Sequence, residues 1–218
     1  MMRRYLGTNP DERAAGLADA TAAAKRGELV VTHGDGAYVI VTDAFSERGV
    51  QRLRDLKQRP GMNLPVLIGR QETVDGLSPL LGGAGRVARD LMRACWPGAL
   101  TVVVPTHPTL AWQCTPVGSV ALRMPLHPWT LELVRAIGPT AVVPSHDHDA
   151  EPVTTIDAAQ ELLGDRVAVY LDGGPCLVDQ MSSVVDATGE RAILVRAGAF
   201  SDEYLHRLAP ELGAQGAS

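Results

Sequence analysis

The chain has 218 residues, 45% of them apolar and 21% charged, which is enough to bury one substantial core and too short for more than one domain or two small ones. Its 20 Lys+Arg against 25 Asp+Glu give a formal net charge of -5, which excludes a surface that is basic throughout and leaves at most a local patch for nucleic acid. Cys95, Cys114 and Cys176 are odd in number, far apart and without a Cys-x-x-Cys spacing, so neither a disulfide framework nor a thiolate zinc site is expected. With no signal-peptide core and no long apolar run, the expectation is a cytoplasmic protein with reduced thiols and no membrane partner.

Asn9, Pro10 and Glu12 form a helix-start signal, and an Ala-rich run carries that helix to Lys25. Residues 28–32 and 37–42 are β-branched runs, separated by His33-Gly34-Asp35-Gly36, whose glycines permit positive φ or close approach of a ligand to the backbone. Helical spacing over 46–57 places Val50, Leu53 and Leu56 on one face and ends before Pro60-Gly61. A strand is expected at 64–68, a helix at 85–95 closed by Trp96-Pro97-Gly98, and strands at 99–104 and 119–124. A short helix at 129–137 precedes a strand at 140–143 that runs straight into Ser145-His146-Asp147-His148-Asp149. A helix at 155–163, strands at 167–171, 183–186 and 192–195, and a helix at 202–208 complete the pattern. Residues 1–210 read as a single domain and 211–218 as a flexible tail. Several strand pairs lack a helical crossover, so an α/β fold with a twisted mixed sheet is expected rather than a fully parallel one.

Six segments taken in order carry a resemblance. They are Leu56-Lys57-Gln58-Arg59-Pro60, Trp96-Pro97-Gly98-Ala99-Leu100-Thr101, Leu122-Arg123-Met124-Pro125, Pro144-Ser145, Ser182-Ser183-Val184-Val185-Asp186 and Leu194-Val195-Arg196-Ala197-Gly198. Together they span most of the chain and resemble the Sua5/YrdC/YciO family in its short form, without the extra Sua5 C-terminal domain. The resemblance implies a YrdC-like twisted mixed sheet with helices around a large central, positively charged cavity. It also implies L-threonylcarbamoyladenylate synthesis, in which L-threonine, bicarbonate and ATP give threonylcarbamoyl-AMP and pyrophosphate on the way to a modified tRNA adenosine. Threonine's amine captures bicarbonate as a carbamate, and a carbamate oxygen attacks the α-phosphate of ATP. Phosphate charge must then be neutralised while water is kept out.

By resemblance, Lys57, Arg59 and Asp35 are the catalytic candidates. Lys57, Arg59, Arg123, Ser145, Asp147, Ser182, Ser183 and Arg196 would bind the nucleotide, ATP or AMP, with Mg2+ accompanying ATP. His33, Gly34, Gly36 and Tyr38 would line the substrate wall. Each residue also has a plainer reading: Lys57-x-Arg59 as a solvated complement to a helix dipole, and Asp186 as the start of a turn toward Gly189.

Two departures from the family pattern stand out. The usual Pro-Thr-Asp-Thr-x-Tyr-Gly is here His33-Gly34-Asp35-Gly36-Ala37-Tyr38-Val39, so Asp35 and Tyr38 survive while two threonine hydroxyls and two methyls are gone. A wall that recognises its substrate through such hydroxyls loses affinity and discrimination without them, which puts L-threonine in doubt. Asp147 stands where the family carries Asn, exchanging two N–H donors for a negative charge beside a polyphosphate. His33, His146 and His148, with the neighbouring aspartates, are weak candidates for a metal site. The leading expectation is a nucleotide-binding protein related to threonylcarbamoyl-adenylate synthases, diverged toward another small-molecule substrate. The alternatives are a catalytically silent module for a nucleotide or double-stranded RNA, and a metal-dependent hydrolase. The oligomeric state is not legible.

Overall fold

Helix α1 (Pro10–Lys25) begins where its capping chemistry dictates: the Asn9 side chain accepts from the backbone N–H groups of Asp11 and Glu12, and proline occupies the first turn. The Glu12 carboxylate reaches back to the backbone N–H of Leu6 at 2.9 Å and so fixes the approach of the preceding strand. The computed structural model describes residues 2–115, 118–147, 150–177 and 181–214.

Within those residues ten strands make one sheet: β1 (Arg3–Leu6), β2 (Val30–His33), β3 (Tyr38–Asp43), β4 (Val66–Leu67), β5 (Leu100–Pro105), β6 (Ser119–Arg123), β7 (Thr140–Pro144), β8 (Val169–Asp172), β9 (Ser183–Asp186) and β10 (Ile193–Arg196). Their spatial order is β1-β8-β2-β3-β7-β4-β6-β5-β9-β10. The pairs β1–β8, β8–β2, β4–β6 and β5–β9 are parallel and the others antiparallel, so the sheet is mixed. The other helices are α2 (Glu47–Leu56), α3 (Thr73–Leu77), α4 (Gly82–Cys95), α5 (Pro128–Ile137), α6 (Ile156–Leu163) and α7 (Asp202–Leu208).

Side-chain alternation along the central strands supplies two cores. Tyr38 and Ile40 of β3, with Ala141 and Val143 of β7, enter a larger core that takes Val50 and Leu53 from α2 and Leu91 from α4. Val41 and Val142, one residue out of step, enter a smaller core with Ala20 and Ala23 of α1 and Trp129 and Leu133 of α5. Both faces of the sheet centre are thus covered, which is why these strands read as continuous apolar runs. Each fully buried Leu or Val of this kind contributes roughly 1.5–3 kcal/mol.

Three features differ from the sequence expectation. Strand β1, Arg-Arg-Tyr-Leu, lacks apolar alternation because it is an edge strand whose arginines form ion pairs, Arg3 with Asp19 and Arg4 with Asp157 and Asp172. The strand expected over 64–68 shortens to β4, because Leu64 N–H bonds the Cys114 carbonyl and the Pro65 carbonyl accepts from Val142 outside the regular ladder. Past Pro210, where a free tail was expected, Leu212 is buried and Gly213 exchanges backbone hydrogen bonds with Ala192 and Leu194. Described chain continues to residue 214, and residues 215–218 lie outside it.

Candidate functional site

Strands β2 and β3 pair with His33 opposite Tyr38, so residues 34–37 form the tip of a hairpin. From this tip the Asp35 carboxylate accepts the backbone N–H groups of Leu126 (3.0 Å) and His127 (3.1 Å), and its second oxygen pairs with the Arg123 guanidinium. Arg123 ends β6 and also donates through Nε to the Gly98 carbonyl at 3.3 Å. One carboxylate therefore fastens the hairpin tip, the end of β6 and the approach to α5 into a single wall. The two side chains are only 24% and 18% exposed, so each charge depends on its partner in place of water.

Aromatic rings back this wall. His33 is 8% exposed and stacks on His127 with ring centroids 4.0 Å apart at 18°, while Tyr38 meets it edge-on at 5.6 Å. The Tyr38 hydroxyl donates to the Gly174 carbonyl at 2.7 Å and lies 3.3 Å from the Asp172 carboxylate. Burial raises the Tyr38 phenol and keeps it protonated. Burial also lowers both imidazoles, that of His127 to about 4, with the neighbouring His33 adding to the effect, so both rings are neutral at physiological pH. The Cys176 thiol contacts the Gly34 carbonyl at 3.5 Å and is pushed up to about 12 by burial, which denies it thiolate character.

Lys57 follows α2 and extends its ammonium to the carbonyls of Ser145 (3.3 Å) and His146 (2.6 Å), with the Asp147 carboxylate 3.6 Å away. Burial lowers its pKa, and Asp147 opposes that shift. Asp147 itself is 85% exposed, so it sits at the solvent side of the clamp. Ser145 is buried and its hydroxyl donates to the Tyr38 carbonyl at 2.8 Å, joining the Lys57 loop to the aromatic wall.

Across the sheet, Arg196 donates twice to the Ser182 carbonyl, at 3.1 and 2.9 Å, and the Ser182 hydroxyl accepts from Thr101 at 3.0 Å. Thr101 precedes Val102, the register partner of Leu122, which puts it beside Arg123. Ser183 is fully buried. Its hydroxyl donates to the Phe200 carbonyl and accepts the N–H groups of Gly198 and Phe200, so it has no capacity left for a ligand. Asp186 accepts from the N–H and hydroxyl of Thr188, which makes it a turn residue.

The sequence model of the Sua5/YciO/YrdC family, described as telomere recombination, matches residues 22–198. The chain belongs to this family. Among its relatives, a Mycobacterium tuberculosis protein provisionally named a threonylcarbamoyl-AMP synthase is 41% identical over 96% of this chain and 95% of its own length. The Bacillus subtilis threonylcarbamoyl-AMP synthase is 31% identical over 87% of this chain and 55% of its own. The fold matches that of Pyrococcus abyssi Sua5 complexed with L-threonine, with a TM-score of 0.83 at 22% identity, covering 98% of this chain and 62% of that one. Escherichia coli YciO matches with a TM-score of 0.77 at 19% identity over 94% and 98% of the two chains.

Against the family pattern, the structure links Arg123, Asp35, His127, His33, Tyr38, Ser145 and Lys57 in a chain of contacts, and places Thr101 on β5, Arg196 on β10 and Ser182 just before β9. Arg59 is exposed, two residues beyond the clamp. A recess of about 700 Å3 lies elsewhere in the fold. That recess is lined by Arg26, Glu28, Arg52 and Arg166 among others, and by none of Lys57, Arg59, Arg123 and Arg196. Arg123, Arg196 and Lys57 each have a local acceptor: a carboxylate, a serine carbonyl and a pair of loop carbonyls. Gly34 and Gly36 are unlike. A Cβ on Gly34 would lie 2.3 Å from the Ala37 carbonyl oxygen, whereas one on Gly36 meets nothing within 4 Å.

No group of three His, Cys, Asp or Glu side chains among the described residues is placed to hold a metal ion. His33 stacks on His127 and His146 belongs to the Lys57 loop, while His148 and Asp149 lie outside the described residues. No helix among the described residues is long and apolar enough to cross a membrane. His127, Asp172 and Thr101 join these contacts, although the sequence reading does not single them out. For Asp172 a signal existed, an acidic residue ending an apolar strand before Gly173-Gly174.

Proposed function

We propose that this protein forms a carbamoyl-adenylate from ATP, bicarbonate and an amino acid, on an acceptor wall rebuilt for a substrate other than threonine. The observation that carries the reading is the 41% identity over nearly the full length of a relative provisionally named for threonylcarbamoyl-AMP synthesis. The Asp35–Arg123 wall beside the Lys57 loop fits it. The acceptor's carboxylate suits the guanidinium of Arg123, the triphosphate suits Lys57, Arg59 and Arg196, and the Ser182 hydroxyl is an accessible partner. A carbamate oxygen attacks the α-phosphate, pyrophosphate leaves, and cationic side chains stabilise the charge that develops. Magnesium would enter with ATP as part of the substrate and neutralise phosphate charge. The loss of hydroxyls at Gly34 and Gly36 supports a changed acceptor.

The test is pyrophosphate release from ATP with bicarbonate across a panel of L-amino acids. Release that needs bicarbonate and is poor with threonine is expected, with Lys57→Ala and Arg123→Ala abolishing it. Efficient turnover confined to threonine would instead make the protein an ordinary threonylcarbamoyl-adenylate synthase. Nucleotide binding without turnover would make it a silent binding module.

A further inference from the structure

His33 occupies the position where the family pattern carries proline, immediately before the two glycines that replace threonines. Its Nδ1 is buried and makes no hydrogen bond of good geometry, although the backbones of Gly34 and Pro175 lie close enough to the ring to favour its protonated form against burial. Such an atom is costly to leave unpaired, and the ring has little freedom to find another partner. It is sandwiched against His127, meets Tyr38 edge-on, and is backed by Gly173, where a Cβ would stand 3.0 Å from His33 Cβ and 2.8 Å from His127 Cε1. The other polar groups of this wall are committed: Tyr38 to Gly174, Asp35 to Arg123 and two backbone N–H groups. The loss of side chains at 34 and 36 therefore coincides with the gain of one rigid, uncommitted polar atom beside them, and residue 36 opens onto free space.

We propose that His33 is a specificity-determining residue, whose Nδ1 hydrogen-bonds a neutral polar group at the far end of the acceptor's side chain. That group is an amide or a hydroxyl. A carboxylate there would face Asp35 and Asp172, and a cation would meet carboxylates whose charge is already taken, Asp35 by Arg123 and Asp172 by Arg4. An apolar end would leave the nitrogen unpaired. This inference rests on the reading of the wall as an amino-acid site.

The test compares isosteres by calorimetry on the intact protein: asparagine with leucine, glutamine with methionine, threonine with valine. Amides are expected to bind at least about 10-fold tighter than their apolar isosteres, since a site with a buried polar atom rejects analogues that cannot pair it. His33→Phe keeps a ring on His127 and removes the nitrogen, so the ratio should fall to near one. His33→Asn, which returns an amide close to the Nδ1 position, should restore it. Should His33→Phe fail to fold, His33→Leu supplies the loss variant. An unchanged ratio in the loss variant, no preference in the wild type, or no amino-acid binding at all overturns the inference. Pyrophosphate release is scored separately. Selective binding without release would sink the enzymatic reading and leave His33's role intact, whereas release without discrimination between isosteres would do the reverse.

Discussion

The Lys57 loop and the His33–Asp35 hairpin tip meet at Tyr38, yet opposite means hold them. Main-chain carbonyls anchor the loop, taking the Lys57 ammonium, while the Ser145 hydroxyl turns inward to Tyr38. Side chains anchor the hairpin: a carboxylate that accepts three partners and two stacked imidazoles. A loop held by its backbone tolerates a new side chain at its tip, which explains how Asp147 is accommodated. A turn held by its side chains has to change in concert, and its departures from the family pattern cluster at residues 33, 34, 36 and 39.

The largest break in this comparison is Asp35→Ala. It strands a partly buried guanidinium and two backbone N–H groups, and should lower stability by about 3 kcal/mol while abolishing any activity of the site. For a chain of this size that is a fall of very roughly 6–12 °C in Tm by calorimetry. Next, Gly34→Ala should cost about 2 kcal/mol, because its Cβ would collide with a backbone oxygen that cannot swing aside. Gly36→Ala should be neutral or stabilising by up to about 1 kcal/mol, since it meets no atom and reduces unfolded-state freedom. Equal effects of the two changes in urea unfolding would contradict the hairpin geometry.

Acid should also act on the hairpin. Folded His127 titrates at about 4 against an ordinary 6.5, so the unfolded chain takes up the proton first as pH falls. Stability is then full above pH 6.5 and declines toward pH 4, by about 3 kcal/mol from this residue. His127→Gln should flatten that interval, and denaturant unfolding across the range checks it. The smallest effect belongs to the loop. Asp147→Asn should move stability by no more than about 0.5 kcal/mol, because its carboxylate is 85% exposed and the pair with Lys57 is long. If the loop does face ATP, the same change should modestly tighten ATP binding, which isothermal titration would register.

Strand and helix positions were largely legible because β-branched runs here are bounded by Gly and Pro, and because Asn9, Ser46, Thr155 and Ser201 cap their helices as their side chains allow. Strand β1 and the five-residue α3 were not, since neither carries enough apolar periodicity to declare itself. At the site, residue types were legible and their commitments were not. Ser182 and Ser183 are neighbours, yet strand alternation sends one hydroxyl to Thr101 and Arg196 and the other into the Phe200 turn. The stacking of His33 on His127 joins residues 94 apart, a pairing that only the sheet order creates.

The two flanks of the ten-stranded sheet also bear on how the protein behaves in concentrated solution. An open β-edge is a template for recruiting another chain. At one border both arginines of β1 are tied to carboxylates of α1, α6 and β8, Asp19, Asp157 and Asp172, so an incoming strand would meet paired charges. At the other, the Gly213 backbone occupies the donors and acceptors of β10 around Ile193 that would otherwise invite a visitor. Removing the chain beyond Pro210 would uncover that border, and the expected consequence is self-association that grows with protein concentration rather than a simple loss of folding.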